Sequence, residues 1–191
     1  SLVLKPEIEP NHASMLTLIT AMAVAGGIEK TTGLECKIKW PNDIVIHGKK
    51  VCGILTEMST QMDYINYIVI GIGINVQNES FPEEIGEVAT SLRIESGKKQ
   101  NRAAIIEAVW EEFEKYYDIY LKTEDMQGLV GEYDQKLANM NKQVRVLDPK
   151  DPYEGTARGI TPKGELIVDT WEARKLVSSG EVSVRGLYGY V

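Results

Sequence analysis

The feature that most constrains the fold is a change of rhythm near residue 140. Before it, stretches with a helical repeat alternate with β-branched runs. From Gln143 onward the chain carries only short apolar stretches broken by turn residues. Five strands are predicted there, at 143–147, 153–160, 165–169, 174–178 and 181–185. Asp148-Pro149, Thr161-Pro162-Lys163-Gly164 and Ser178-Ser179-Gly180 supply the turns. A unit of about 49 residues buries too little surface to stand alone and should dock on what precedes it. The chain therefore divides into a larger unit, 1–140, and a small barrel, 141–191.

Within the larger unit, Ser1-Leu-Val-Leu alternates as a strand that ends by Pro6. Asn11 is placed to cap a helix running to about Lys30, with Met15, Leu18, Ile19, Met22 and Ala25 at helical spacing. Gly26-Gly27 and Gly33 should mark its fraying end. Residues 35–40, 44–46 and 51–58 read as strands, the last two joined by a turn at His47-Gly48-Lys49-Lys50. Tyr64–Val76 is a long β-branched run, followed by a loop over Phe81-Pro82-Glu83-Glu84 and Ala89-Thr90-Ser91-Leu92. Asn101 caps a second helix to about Leu121, with Ile105, Val109, Phe113, Tyr116 and Tyr120 on one face, and a shorter helix is predicted over 125–138. Helices set against a mainly antiparallel sheet make the class α+β.

Composition narrows the function. Lys+Arg is 21 and Asp+Glu is 28, for a net charge of −7. With no Lys/Arg-rich run, the chain lacks the electrostatic footprint of a nucleic-acid binder. Apolar runs such as Ala21–Ile28 and Ile68–Val76 fall short of the ~18–20 residues that cross a bilayer, so no membrane role is expected. Cys36 and Cys52 form no CxxC and read as free thiols in a reducing cytoplasm. His12 and His47, the only histidines, leave little for a catalytic triad or a His-rich metal site. The chain opens without a methionine or a leader pattern, and residues missing upstream are expected.

The chemistry concentrates in Lys39-Trp40-Pro41-Asn42-Asp43, Lys50-Val51-Cys52-Gly53-Ile54-Leu55-Thr56-Glu57 and Gly71-Ile72-Gly73-Ile74-Asn75. Lysines, an Asn and an Asp stand at the ends of apolar strands. Gly53, Gly71 and Gly73 interrupt strands, a mark of close approach by a ligand or another backbone. Taken singly, each has an ordinary reading. Lys37 and Lys39 share a strand face open to solvent, Lys50 is a surface lysine in a turn, and Asn42-Asp43 fills a turn. Gly71-x-Gly73 is half of a dinucleotide fingerprint, but Val76 stands where the third glycine belongs and no helix follows.

The ordered combination resembles the biotin–protein ligase family. It joins the Lys-Trp-Pro-Asn-Asp pentapeptide, a hairpin with Lys-x-x-Gly-Ile-Leu-x-Glu, the Gly-Ile-Gly-Ile-Asn strand and the closing Gly180-Glu181-Val182-Ser183-Val184-Arg185. The resemblance implies a class-II-synthetase-like domain with a mixed sheet and helices, plus a small SH3-like C-terminal β-barrel. It implies ATP and biotin as substrates, Mg²⁺ as metal, and transfer of biotin to a biotin carboxyl carrier domain, with a homodimer possible. Lys50 would bridge the biotin carboxylate and the α-phosphate, Lys39 would act near the phosphates, and Asp43 would complete the catalytic set and ligate the metal. Gly53, Ile54, Leu55 and Gly73 would line the biotin pocket beside Lys50. Asn42, Asn75, Thr90, Ser91, Arg145, Glu181 and Arg185 would join Lys39 in contacting ATP.

The family also carries a Gly-Arg-Gly-Arg-x-Gly loop upstream of the strand that Ser1–Leu4 matches, and no Gly-Arg-Gly occurs here. The expectation is an N-terminally truncated chain with half of the ligand cage outside it. The alternatives are an inactive fragment serving as a dimerisation or carrier-docking module, and a lipoate-type acyl-protein ligase.

Overall fold

A computed structural model describes residues 1–191 other than Met62, Asp63, 180–182 and Tyr188. The first sheet contains β1 (Leu2–Leu4), β2 (Lys37–Lys39), β3 (Asp43–Ile46), β4 (Lys49–Gln61) and β5 (Tyr64–Ile74), in the order β1-β5-β4-β3-β2. All its ladders are antiparallel, and parallel pairing among the described residues is confined to the isolated bridges Ile38–Leu137 and Lys50–Ala89.

Helix α1 (Met15–Thr32) lies against this sheet, and α4 (Arg102–Tyr120) packs on its other side. This sandwich explains why α1 is apolar almost all round, where the sequence suggested a stripe. Taken alone, Pro10–Thr32 is long and apolar enough to cross a membrane, contrary to the estimate from the shorter apolar runs; 72% of its most apolar window is buried inside the protein. Asn11 does not cap α1. It lies in a 3-10 turn, Pro10–His12, and α1 begins after Ser14 without a side-chain cap. Nor do Gly26 and Gly27 mark a frayed end. They sit within α1, and a Cβ on Gly27 would fall 2.7 Å from Val109 N, so glycine is what lets α4 approach. Gly33, at φ +75, ends the helix. Asn101 caps α4 as predicted, Oδ1 accepting from the backbone of Ala103 and Ala104, and Ile105, Val109, Phe113, Tyr116 and Tyr120 are all buried.

Two short helices, α2 (Glu83–Gly86) and α3 (Leu92–Ser96), interrupt the segment read as loop, and α5 (Val130–Lys136) is shorter than expected. The second sheet contains β6 (Gln143–Leu147), β7 (Tyr153–Ile160), β8 (Leu166–Asp169), β9 (Arg174–Val177) and β10 (Ser183–Gly186), in the order β10-β6-β7-β8-β9. It docks on the first unit through one continuous apolar core. Polar ties help: Trp40 Nε1 donates to Gly164 O at 3.1 Å, and Ile160 N donates to Asp134 Oδ1 at 3.0 Å.

Candidate active site

The register of the first sheet aligns the motif residues. Lys39 pairs with Asp43, Asp43 with Gly53, and Gly53 with Gly73, so one row crosses four strands. Directly paired residues share a face. The row therefore presents an ammonium and a carboxylate beside two residues with no side chain, which leaves bare backbone as a floor. Two residues further along β4, Leu55 pairs with Gly71 and extends that floor; Leu55 is 62% exposed.

Lys50 reaches this face through a β-bulge. The turn is shorter than predicted: only His47 (φ +50) and Gly48 (φ +79) form it, and Lys49 already belongs to β4. Positive φ at both central residues suits the twist of a two-residue hairpin. In regular pleating, Lys50 and Gly53 would face opposite ways. The ladder instead pairs Ile44 with Cys52 and Val45 with Lys50, leaving Val51 as the extra residue on β4. The bulge turns Lys50 onto the glycine face. A Cβ placed on Gly53 would stand 3.0 Å from Lys50 Nζ. The Lys50 backbone is held from the far side: its N donates to Val88 O at 2.7 Å, and Thr90 N donates to Lys50 O at 2.8 Å.

Asp43 is the hub. Its side chain is 9% exposed, with Lys50 Nζ 2.5 Å from Oδ1 and Lys39 Nζ 3.8 Å from Oδ2. The Lys50 contact is a close ion pair without hydrogen-bond alignment. Tyr190 donates its hydroxyl to Oδ2, and its ring centroid lies 4.4 Å from Lys39 Nζ. Burial is the main cause that lowers the Lys39 pKa. The Asp43 charge opposes it, and the Lys50 and Arg185 charges add to it. Burial raises the Tyr190 phenol well above its ordinary range, and Asp43 adds to that, so the phenol keeps its proton and donates.

Two hollows meet at this cluster. A cleft of about 1040 Å³ is lined by Lys39, Asn42, Asp43, Ile54, Leu55 and Arg185 among others. A cavity of about 300 Å³ is lined by Lys50, Gly53, Gly73 and Asn75, under Phe81 and Val88 from the α2 segment. Tyr190 lines both.

The other expected residues divide. Asn42 borders the cleft, but its Nδ2 donates to Ile54 O at 2.9 Å, which clamps β4. Asn75 borders the cavity and donates to Thr90 O at 3.1 Å. Thr90 and Ser91 are corrections: both are buried and line neither hollow. Thr90 Oγ1 donates to Glu95, and Ser91 Oγ caps α3 while donating to Asn78 O. Arg145 is also displaced from the site; it lies on β6, bound to Glu154 on β7. Arg185, its partner on β10, does reach the cleft. Glu181 lies outside the described residues. Cys52 is buried beside the floor with its thiol pushed up to about 12 by burial, which makes it filler rather than nucleophile.

Sequence reasoning missed Tyr190, which stands outside every motif, and the bulge, whose cause lies in the distant Val88–Thr90 segment. As a metal ligand Asp43 would act as a single carboxylate beside the nucleotide phosphates. Tyr190 donates to Oδ2, and Oδ1 faces Lys50 Nζ with no aligned hydrogen bond. Among the described residues no group of three or more His, Cys, Asp or Glu stands together to hold a cation.

With this geometry in view, the comparisons are specific. Residues 1–75 match the model of the biotin/lipoate A/B protein ligase family, and residues 140–185 match the biotin protein ligase C-terminal domain. The chain belongs to the biotin protein ligase family. It is 38% identical over 186 residues to the bifunctional ligase/repressor BirA of Bacillus spizizenii, covering 96% of this chain and 57% of the relative. It is 30% identical over 171 residues to the biotin–[acetyl-CoA-carboxylase] ligase of Mycobacterium tuberculosis, covering 87% and 61% respectively. The fold superposes on the Aquifex aeolicus biotin protein ligase in complex with biotin and ATP with a TM-score of 0.85 and 29% identity, covering 97% of this chain and 76% of that one. The chain thus spans little more than half the length of the BirA relative and supplies the α+β fold that the family resemblance implied.

Proposed function

We propose that this chain supplies the activating site of an ATP-dependent biotin–protein ligase, with residues 1–140 as the biotin- and ATP-binding domain and 141–191 as the SH3-like C-terminal domain. A biotin carboxylate oxygen attacks the α-phosphorus of ATP. The bond to the β-phosphate oxygen breaks, pyrophosphate leaves with the electron pair, and biotinyl-5′-AMP remains. The observation that carries this reading is Lys50, turned by the bulge over the Gly53–Gly73 floor.

The difficulty in this step is electrostatic. Two unit negative charges 4 Å apart repel by about 4 kcal/mol at an effective dielectric of about 20. An ammonium fixed between them removes that term where solvent is sparse, and it has most effect when both oxygens close on one phosphorus. Lys50 supplies the ammonium by exchanging Asp43 for the reactants. Lys39 and Arg185 flank the cleft on the phosphate side, and Asn75 faces the adenine side. Leu55, with the glycine backbone, offers an apolar bed for the biotin ring and chain, and Ile54 borders the cleft with its side chain turned into the core. Magnesium would be held by the nucleotide's own phosphates and by Asp43, whose Oδ1 comes free as Lys50 turns to the reactants; no step here is assigned to it.

In the second step the neutral amine of a carrier-domain lysine attacks the acyl carbon and AMP leaves. Neither histidine borders the cleft or the cavity: His12 sits on Glu124 and His47 on Glu95. Positioning of the amine therefore carries the step rather than a histidine base. Strand β1, at an edge of the first sheet, offers backbone to a second copy, which supports the homodimer. Carboxylase carriers in the cytoplasm are the proposed acceptors.

ATP–pyrophosphate exchange tests the reading, on this chain and on the protein extended upstream. Exchange that requires biotin and ignores lipoate is expected in the extended protein. Exchange with lipoate alone, or none with either acid, overturns it.

A further inference from the structure

Tyr190 has no part in the adenylation chemistry just described, yet it makes the contacts that a phosphate-bearing ligand needs. Its hydroxyl occupies one oxygen of Asp43, and its ring covers Lys39. Lys39 is 8% exposed, and Asp43 at 3.8 Å is the only ion-pair partner found for it among the described residues. A cation so desolvated is stabilised by an aromatic face. With Tyr190 in place, the carboxylate holds an ammonium and a phenol, the second lysine is roofed, and Lys39 and Lys50 share one carboxylate, which leaves the site an excess of positive charge.

The residue is also a partition. It lines the 1040 Å³ cleft beside Leu55 and Arg185 and the 300 Å³ cavity beside Asn75. A ligand reaching from one hollow to the other passes Tyr190.

The segment that carries it is built to hold this position and to leave it. β10 ends at Gly186, and Tyr190 follows outside the ladder. Gly186 meets the Val191 backbone so closely that any side chain on it would collide, so the segment folds back on the end of β10. Leu187 N donates to Gln143 O at 3.1 Å just before. Swinging Tyr190 away opens no sheet hydrogen bond and exposes an amphipathic ring that tolerates water at its hydroxyl end.

We propose that Tyr190 is a displaceable stopper, an internal competitor that closes the empty site over Lys39 and Asp43 and is expelled when a polyphosphate group enters. The inference rests on the reading of this cluster as a phosphate-facing site. A ligand that binds only the open state is weakened by the fraction of molecules that are closed. Removing the stopper therefore tightens binding rather than weakening it, the opposite of what loss of a ligand contact would do.

The test uses Tyr190→Ala and Tyr190→Phe in the extended protein, with inorganic pyrophosphate and ATP as probes in titration calorimetry. Labelling of Lys39 by an amine reagent, followed by mass spectrometry, serves as a ligand-free readout. Tyr190→Ala should raise Lys39 labelling and tighten pyrophosphate binding by roughly tenfold. Tyr190→Phe keeps the ring and loses the hydroxyl, so its affinity should fall between the two. Unchanged Lys39 labelling in Tyr190→Ala overturns the stopper, and so does equal or weaker pyrophosphate affinity. If labelling and pyrophosphate affinity respond as stated but no variant shows biotin-dependent exchange, the stopper stands and the ligase reading fails.

Discussion

Gly53→Ala isolates the position of Lys50 from the stability of the fold. The new methyl carbon would stand 3.0 Å from Lys50 Nζ and 3.1 Å from Cε, with Asp43 Oδ1 at 3.6 Å. Ordinary contact between such atoms begins near 3.5–4.0 Å, so the ammonium must retreat by about 0.5–0.8 Å. The neighbour that moves is the far end of a flexible side chain, not backbone, so the sheet should not shift. Lengthening the Lys50–Asp43 pair from 2.5 Å to about 3.2 Å reduces its Coulomb term by about 1.4 kcal/mol at an effective dielectric of about 20. The Lys50 side chain is 39% exposed, and solvent screening brings this to under about 1 kcal/mol of stability. Catalysis is more sensitive, since a displacement near 1 Å costs on the order of a hundredfold. The expected pattern is a nearly unchanged Tm with biotin-dependent exchange reduced by about 10- to 100-fold. Thermal unfolding and ATP–pyrophosphate exchange on the extended protein read both. Wild-type exchange in the folded variant would refute the placement of Lys50, and a collapse in Tm would refute the claim that only the lysine yields.

Gly27→Ala should do the reverse. Its Cβ would meet Val109 N at 2.7 Å and Cα at 2.8 Å, so α1 and α4 must separate. A net loss of about 1–3 kcal/mol is expected, or roughly 2–4 °C in Tm for each kcal/mol, with the exchange rate of the folded fraction intact. Lys39, with its pKa lowered chiefly by burial, sheds its proton below the usual lysine range. In the window between that lowered value and 10.5 the unfolded chain binds more protons, so stability should rise with pH there. Lys39→Met should remove this rise in a pH series of denaturant melts. It should also weaken pyrophosphate binding, which in the parent fades as pH climbs into the same window.

Local features were legible in the sequence and long-range ones were not. The Asn101 cap and the face from Ile105 to Tyr120 depend on spacing within one helix, and both stand as expected. The strands of the second sheet follow from alternation and turn residues, to within a few residues. Gly27 was misread because its reason is Val109 on another helix, whereas glycine near a helix end otherwise reads as a stop. The lysine hairpin pointed to Lys50, but a two-residue period puts it on the face away from Gly53. Only the bulge at Val51, fixed by backbone bonds to the Val88–Thr90 segment, corrects this. Thr90 and Ser91 sit in a motif-like loop, yet their hydroxyls hold α3 and the turn before it. Tyr190 carries no local signal, because it reaches Asp43 only once the second sheet docks on the first.

The most direct test of the central claim is single-turnover formation of biotinyl-5′-AMP by Lys50→Ala in the extended protein, with folding verified by thermal unfolding. The account predicts that the variant folds and that adenylate formation falls by several orders of magnitude, because the two anions then meet without their ammonium. Adenylate formation at a near-normal rate in the folded variant would contradict it.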